Sequence, residues 1–210
     1  MTRQGGGSAR FHPSSHHRHS IRLKNYDYSQ AGAYFVTICT QNRACLFGEM
    51  VAAEMRANAA GQIVQTVWEA LPENYPGVEL DQFVVMPNHL HGILIITATS
   101  VGAGSPRPRS SRPGSASLPR PAYQGGETPP LRADGRSGPT LGRIVAYFKY
   151  ESTKQLNAIR GSSGLPIWQR NYYEHIVRDE ADLGHIREYI ESNPAKWEVD
   201  QLHPDNPSKW

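Results

Sequence analysis

Two histidines one residue apart, His89 and His91, lie in FVVMPNHLHGILII (83–96), the most apolar stretch of a chain whose mean hydropathy is −0.56. In an extended strand, residues i and i+2 project from the same face, so the two imidazoles stand side by side while Leu90 points the other way. Two imidazoles on one rigid strand make half of a metal site. A plainer reading competes with this. Nine histidines in 210 residues make an H-x-H pair easy to produce by chance, and His17 and His19 in the N-terminal HHRH form another. Two such histidines can simply hydrogen-bond at a strand end.

A second set of chemistry-bearing residues lies in EADLGHIREYIESNP (180–194). Leu183, Ile186 and Ile190 recur at helical spacing. Tyr189 falls on one border of that stripe, and Asn193 lies one turn further along the same side. If this helix packs on the histidine strand, Asn193 offers an oxygen ligand and Tyr189 points its phenol at whatever the metal holds. Positions stay open for substrate, as a catalytic metal requires. Each residue has a rival role: Tyr189 as a border aromatic covering the core, and Asn193, which precedes Pro194, as a helix cap.

These residues need a scaffold. AYFVTICTQNR (33–43) is rich in aromatic and β-branched residues and reads as a strand, with CLFGEM (45–50) pairing back on it as a hairpin. Apolar residues at Ala59, Ile63, Val67 and Leu71, beside Ala60, Val64 and Trp68, predict a helix from Ala53 to about Leu71, ending before Pro72. VELDQFVVM (78–86) and HLHGILIIT (89–97) read as strands joined by a tight Pro87-Asn88 turn. Leu141, Ile144, Val145, Phe148 and Leu156 predict a helix over about 140–158, and WQRNYYEHIVR (168–178) reads as a further strand. A last helix begins at Asp179, an N-cap with Asp182 three residues on, and ends at Asn193-Pro194. This order predicts an α+β sandwich, an antiparallel sheet with helices packed on one face.

The remainder is unlike a core. Residues 98–140 hold seven Gly, eight Pro and seven Ser, a composition that resists regular structure and reads as a disordered insertion. Residues 1–24 read as a disordered basic tail, 25–200 as a single interrupted domain, and 201–210 as a C-terminal tail. Charge follows the same division: five cations and no acid in the tail, and six arginines against Glu127 and Asp134 in the insertion. With a net charge of +3 overall, that leaves the rest of the chain at −6. Basic tails fit a polyanionic partner, and equally fit solubility alone. The N-terminal segment has no signal-peptide core and no apolar run approaches bilayer length, so a soluble, cytoplasmic protein without membrane association is expected. Cys39 and Cys45 read as reduced, packed thiols.

MPNHLHGILI, followed by WQRNYYEHIVRDEADLGHIREYIESNP, closely resembles the REP-associated tyrosine transposases, a branch of the single-tyrosine HUH transposases, over most of residues 25–97 and 141–197. The resemblance implies a ferredoxin-like fold with the histidines on a central strand. It implies His89, His91 and Asn193 as metal ligands and Tyr189, in Y-x-x-x-N, as the nucleophile that cuts DNA and holds it as a 5′-phosphotyrosine. Relatives from mobile elements usually carry Gln where this chain has Asn193. Imidazoles alone suit zinc, copper, iron or nickel, whereas the resemblance implies magnesium or manganese. The expected partner is single-stranded or hairpin DNA, bound by a monomer or homodimer.

Arg143, Lys149, Lys154, Arg170, Arg178 and Arg187 are candidate backbone contacts, and Trp168, Tyr172 and Tyr173 candidate stacking surfaces. Each reads equally as solvated surface or core. Glu174 and His175 alternate faces of their strand, which leaves His175 a supporting role. Two other readings use the same residues: a single-strand nucleic-acid-binding regulator that does not cleave, and a zinc hydrolase that activates water.

Overall fold

The computed structural model describes residues 26–97 and 139–206. The basic tail 1–24 and residues 98–138 of the insertion lie outside that range.

The strands that matter for the site are β1 (Gly32–Cys39), β4 (Val78–Met86), β5 (His89–Ile96) and β6 (Tyr173–Ile176). They form one sheet in the order β4-β5-β1-β6, and every neighbouring pair is antiparallel. Helix α1 (Ala59–Glu69) links β1 to β4, and α3 (Leu141–Ile159) links β5 to β6. Strand-helix-strand-strand-helix-strand in this sheet order is the ferredoxin-like sandwich, an α+β fold. A two-stranded hairpin, β2 (Gly48–Val51) with β3 (Glu54–Ala57), precedes α1. The four-residue α2 (Leu71–Asn74) follows it, and α4 (Glu180–Ser192) closes the chain before a 3-10 helix, Pro194–Val199. Among the described residues no helix is long and apolar enough to cross a membrane.

Alternation along the strands decides what each face does. Tyr34, Val36 and Ile38 of β1, with Leu90, Leu94 and Ile96 of β5, point to the face covered by α1 and α3, where they meet Val64, Trp68, Ile144 and Phe148 in the main core. Trp68 lies directly on the β5 backbone: a Cβ at Gly92 would stand 2.4 Å from its Cζ2, so only glycine lets the indole seat there. The opposite face carries α4, which lays Leu183 and Ile190 on Phe35 and Ile93 in a much smaller cluster.

Polar pairs hold α4 to both sheet edges. Arg187 donates from Nε and Nη2 to the two carboxylate oxygens of Asp81 at 2.9 and 2.6 Å, where β4 shifts register between Leu80 and Phe83. His175 of β6 meets Asp182 at 2.9 Å. Asp179 caps the helix by accepting from the Asp182 N–H, as the sequence predicts.

The first half of the domain differs from expectation at three points. The helix expected from Ala53 begins at Ala59, because residues 54–57 form β3 and the Asn58 side chain caps α1 by accepting from the Ala60 and Gly61 N–H groups. Part of CLFGEM enters β2, which pairs with β3 rather than with β1. Cys45 is exposed instead of packed, although both cysteines are free thiols. Farther on, the strand expected over 168–178 shortens to Tyr173–Ile176, with an isolated bridge between Trp168 and Thr40.

Candidate metal centre and its cleft

Odd-numbered residues of β5 face α4, so His89 and His91 project beneath that helix, their rings 4.5 Å apart and both essentially buried. Burial disfavours imidazolium: it lowers the His89 pKa to about 3 and the His91 pKa well below its ordinary value. Both rings are therefore neutral at physiological pH and have lone pairs to give.

The tautomer of His89 follows from its neighbour. The Asn88 side-chain NH2 donates to the carbonyls of Arg43 (3.1 Å) and Leu202 (2.8 Å), which turns its Oδ1 toward His89 Nδ1 at 2.7 Å. A carboxamide oxygen only accepts, so Nδ1 carries the proton and Nε2 is left with its lone pair. That buried Nε2 has no hydrogen-bond partner among the described residues. His91 bridges two hydroxyls: Nδ1 lies 2.8 Å from Thr37 Oγ1 on the paired strand, and Nε2 lies 3.2 Å from the phenol of Tyr189.

Helix α4 supplies that phenol. Tyr189 is half-exposed, with its ring 5.1 Å from His91 and edge-on to Phe35 at 6.0 Å. Desolvation and the nearby Asp200 carboxylate push its pKa up to about 12. One turn on, Asn193 is buried. Its NH2 donates to Asp200 Oδ2 at 3.1 Å, leaving Oδ1 buried without a hydrogen-bond partner among the described residues. Asp200 is itself fixed by accepting the Leu202 N–H on Oδ1 at 2.6 Å.

Ligand atoms of His89, His91 and Asp200 all lie within 4.8 Å of one another. These three donors, His89 Nε2 among them without a partner, together with the bare Asn193 amide oxygen, fit a divalent cation. Such atoms are costly to bury unpaired, and a cation would satisfy them together.

The site opens into a cleft of about 770 Å³ that Thr37, His91, Tyr173, Tyr189, Asn193 and Asp200 help to line. The structure thus brings together His89, His91, Tyr189 and Asn193. Asp200, which the sequence reading missed, joins them. It lies past the last helix in EVDQ, where no periodicity singles out one carboxylate among 19 acidic residues. Residues 201–206, expected as a tail, are bonded to the domain: Arg43 donates to the Gln201 carbonyl at 3.2 Å, and Asn88 holds that of Leu202.

The candidate DNA contacts separate. Tyr172 and Tyr173 line the cleft. Arg170 and Arg178 are exposed. Arg187 is engaged with Asp81 and Glu180, and Lys149 donates to three backbone carbonyls. Arg143 and Lys154 sit on α3, across the sheet from the histidines. Trp168 offers no stacking surface, because its ring is buried between Phe47 and Phe148 and its Nε1–H donates to Ser152. His175 faces the α4 side and ties β6 to that helix. Two cations not singled out in the sequence, Arg43 and Lys196, line the cleft.

Comparison with known proteins adds a family. A Haemophilus influenzae protein of uncharacterised activity is 42% identical over 198 residues, covering 94% of this chain and 99% of its own length. The chain belongs to the same family as that protein. A second Haemophilus influenzae protein, provisionally named a REP-associated tyrosine transposase, is 24% identical over 204 residues, covering 87% of this chain and 88% of its own. The solved structure of a REP-associated tyrosine transposase bound to a REP hairpin aligns with 83% of this chain and 73% of its own at 19% identity. Its TM-score of 0.46 assigns neither fold nor activity. No protein-family model matches the chain.

Proposed function

We propose that this protein is a transposase-like nuclease and strand transferase that cuts single-stranded, hairpin-bearing DNA through Tyr189. The observation that carries the reading is the placement of the Tyr189 phenol 3.2 Å from His91 Nε2, beside a donor set of buried His89, His91 and Asn193 with the half-buried Asp200. The distant similarity to the provisionally named transposase points the same way.

His89, His91, Asp200 and the Asn193 amide oxygen would hold a divalent cation. The oxygen donors of Asp200 and Asn193 make the set more hospitable to manganese or magnesium than the two imidazoles alone would be. Such an ion supplies Lewis-acid polarisation of a phosphoryl oxygen. The protein's own part is nucleophilic. Tyr189 Oη forms a bond to phosphorus, the P–O3′ bond breaks, the phenol gives up its proton and the departing O3′ gains one. The products are a 5′-phosphotyrosine and a free 3′-hydroxyl. Attack by another 3′-hydroxyl reverses these steps and rejoins DNA without an external energy source. Asn88 and Thr37 act by orienting the two imidazoles, and Arg43 and Lys196 give the cleft its positive charge.

The test is incubation with single-stranded hairpin DNA and manganese, followed by denaturing electrophoresis. The wild type forms a covalent adduct and Tyr189→Phe forms none; an undiminished adduct in the variant overturns the assignment. One observation favours a second reading, a regulator that binds single strands without cutting them: burial and Asp200 raise the pKa of the Tyr189 phenol above its ordinary value, which works against its ionisation for attack. Tight binding with no adduct in any divalent cation would select that reading.

A further inference from the structure

One wall of the cleft is formed by the segment leading into β6, whose backbone is held by several hydrogen bonds. The Gln169 N–H donates to the Cys39 carbonyl at 2.9 Å. The Lys149 ammonium donates to three consecutive carbonyls, those of Gln169 (2.9 Å), Arg170 (3.3 Å) and Asn171 (3.0 Å). Its three donors match these three acceptors, and it also lies 5.3 Å from the Tyr172 ring centroid. With its carbonyls engaged by Lys149 of α3, the segment lines the cleft with Gln169, Asn171 and Tyr173, while Tyr172 borders it with its ring packed against the main core beside Lys149. Neither the Gln169 nor the Asn171 carboxamide has a hydrogen-bond partner among the described residues.

The chemistry of this wall suits bases rather than phosphates. A carboxamide cannot neutralise a phosphate, but its adjacent donor and acceptor match the paired donor and acceptor on a base edge. The exposed Tyr173 ring beside it suits stacking of an unpaired base, whose edge is accessible only in a single strand. The cleft's cations, Arg43 and Lys196, come from other segments. Backbone neutralisation and base contact thus fall to different walls.

Building on the proposed function, we infer that Gln169 and Asn171 read the edge of a nucleobase flanking the phosphate presented to Tyr189, and that Lys149 is the positioning residue that aims them. The inference concerns base choice, so it is tested apart from cleavage. Full-length Tyr189→Phe protein is equilibrated in EDTA with a pool of short single-stranded DNAs of random sequence, and the bound fraction is sequenced. The same is done with Gln169→Ala or Asn171→Ala added.

The parent should enrich particular bases by about tenfold or more at one or two positions. Each alanine variant should flatten one of them while total affinity for the pool changes little. Lys149→Gln should flatten both, with Lys149→Arg closer to the parent. Should Lys149→Gln fail to fold, the two alanine variants decide alone, because both side chains lie at the cleft surface. Identical enrichment in parent and alanine variants, or no enrichment in the parent, overturns the inference. Base selection lost in the variants while wild-type protein yields no adduct would retain this subsite and reject the nuclease. An adduct with selection unchanged would do the reverse.

Discussion

The two faces of the sheet are built on opposite principles. Toward α1 and α3, β1 and β5 present Tyr34, Val36, Ile38, Leu90, Leu94 and Ile96 to a continuous apolar core. Toward α4, the same two strands present Phe35 and Ile93 to a small apolar cluster, and beside it Thr37, His89 and His91, all buried and polar. Burying a large apolar side chain contributes about 1.5–3 kcal/mol, so the first face carries most of the stability. The second spends buried volume on groups that stabilise little and cost free energy when unpartnered. Stability and chemistry are separated by the thickness of one sheet, and each can be perturbed without the other.

The sharpest test of that separation is Tyr189→Phe, which removes one oxygen from a half-exposed side chain on the polar face. Covalent adduct should vanish while the Tm stays at the wild-type value in a thermal scan. A large drop in Tm would mean that the polar face is structural after all. Next in size is Asp200→Asn. Calorimetric titration with manganese should show affinity reduced by about tenfold to a hundredfold, since the variant removes the only carboxylate of the donor set.

On the other face, Gly92→Ala drives a methyl into Trp68 and should destabilise by about 1–3 kcal/mol in urea, with manganese affinity retained in the folded protein. The smallest effect concerns the ties that hold α4. Arg187 holds the Asp81 carboxyl below its ordinary value of 3.8, and His175 does the same for Asp182. A depressed carboxyl contributes stability that is present above the unfolded value and lost as pH falls through the folded one. The urea midpoint should therefore decline below about pH 3.8, and Asp81→Asn should show a shallower decline.

How much of this was legible depended on regularity. β4, β5 and α3 lie within a residue of expectation because each carries an uninterrupted apolar pattern: VELDQFVVM, HLHGILII and the Leu141 to Leu156 stripe. β3 did not show, because EMRA has no strand signature and its hairpin turns through Ala52 and Ala53, both at positive φ (51° and 63°). A two-residue turn of that kind usually advertises itself with Asn-Gly or Asp-Gly. Asn58 was a readable start signal, since it precedes the Ala-rich helix as an N-cap residue.

In the site, His89, His91, Tyr189 and Asn193 could be proposed from spacing, because each pair sits on one regular element and resembles a known motif. Asp200 could not, since it reaches the histidines through an irregular segment held by Asn88, Arg43 and its own bond to the Leu202 N–H. Contacts of that kind depend on tertiary geometry alone. Trp168 shows the converse: an aromatic in a promising motif whose environment is set by Phe47 and Phe148, distant in sequence.

Tyr189 meets the His91 of its own polypeptide. On the proposed function, nucleophile and imidazoles then come from one polypeptide. Mixing a preparation crippled by His89→Ala with one crippled by Tyr189→Phe should restore nothing, whereas an enzyme that traded helices between protomers would regain part of its output in the blend.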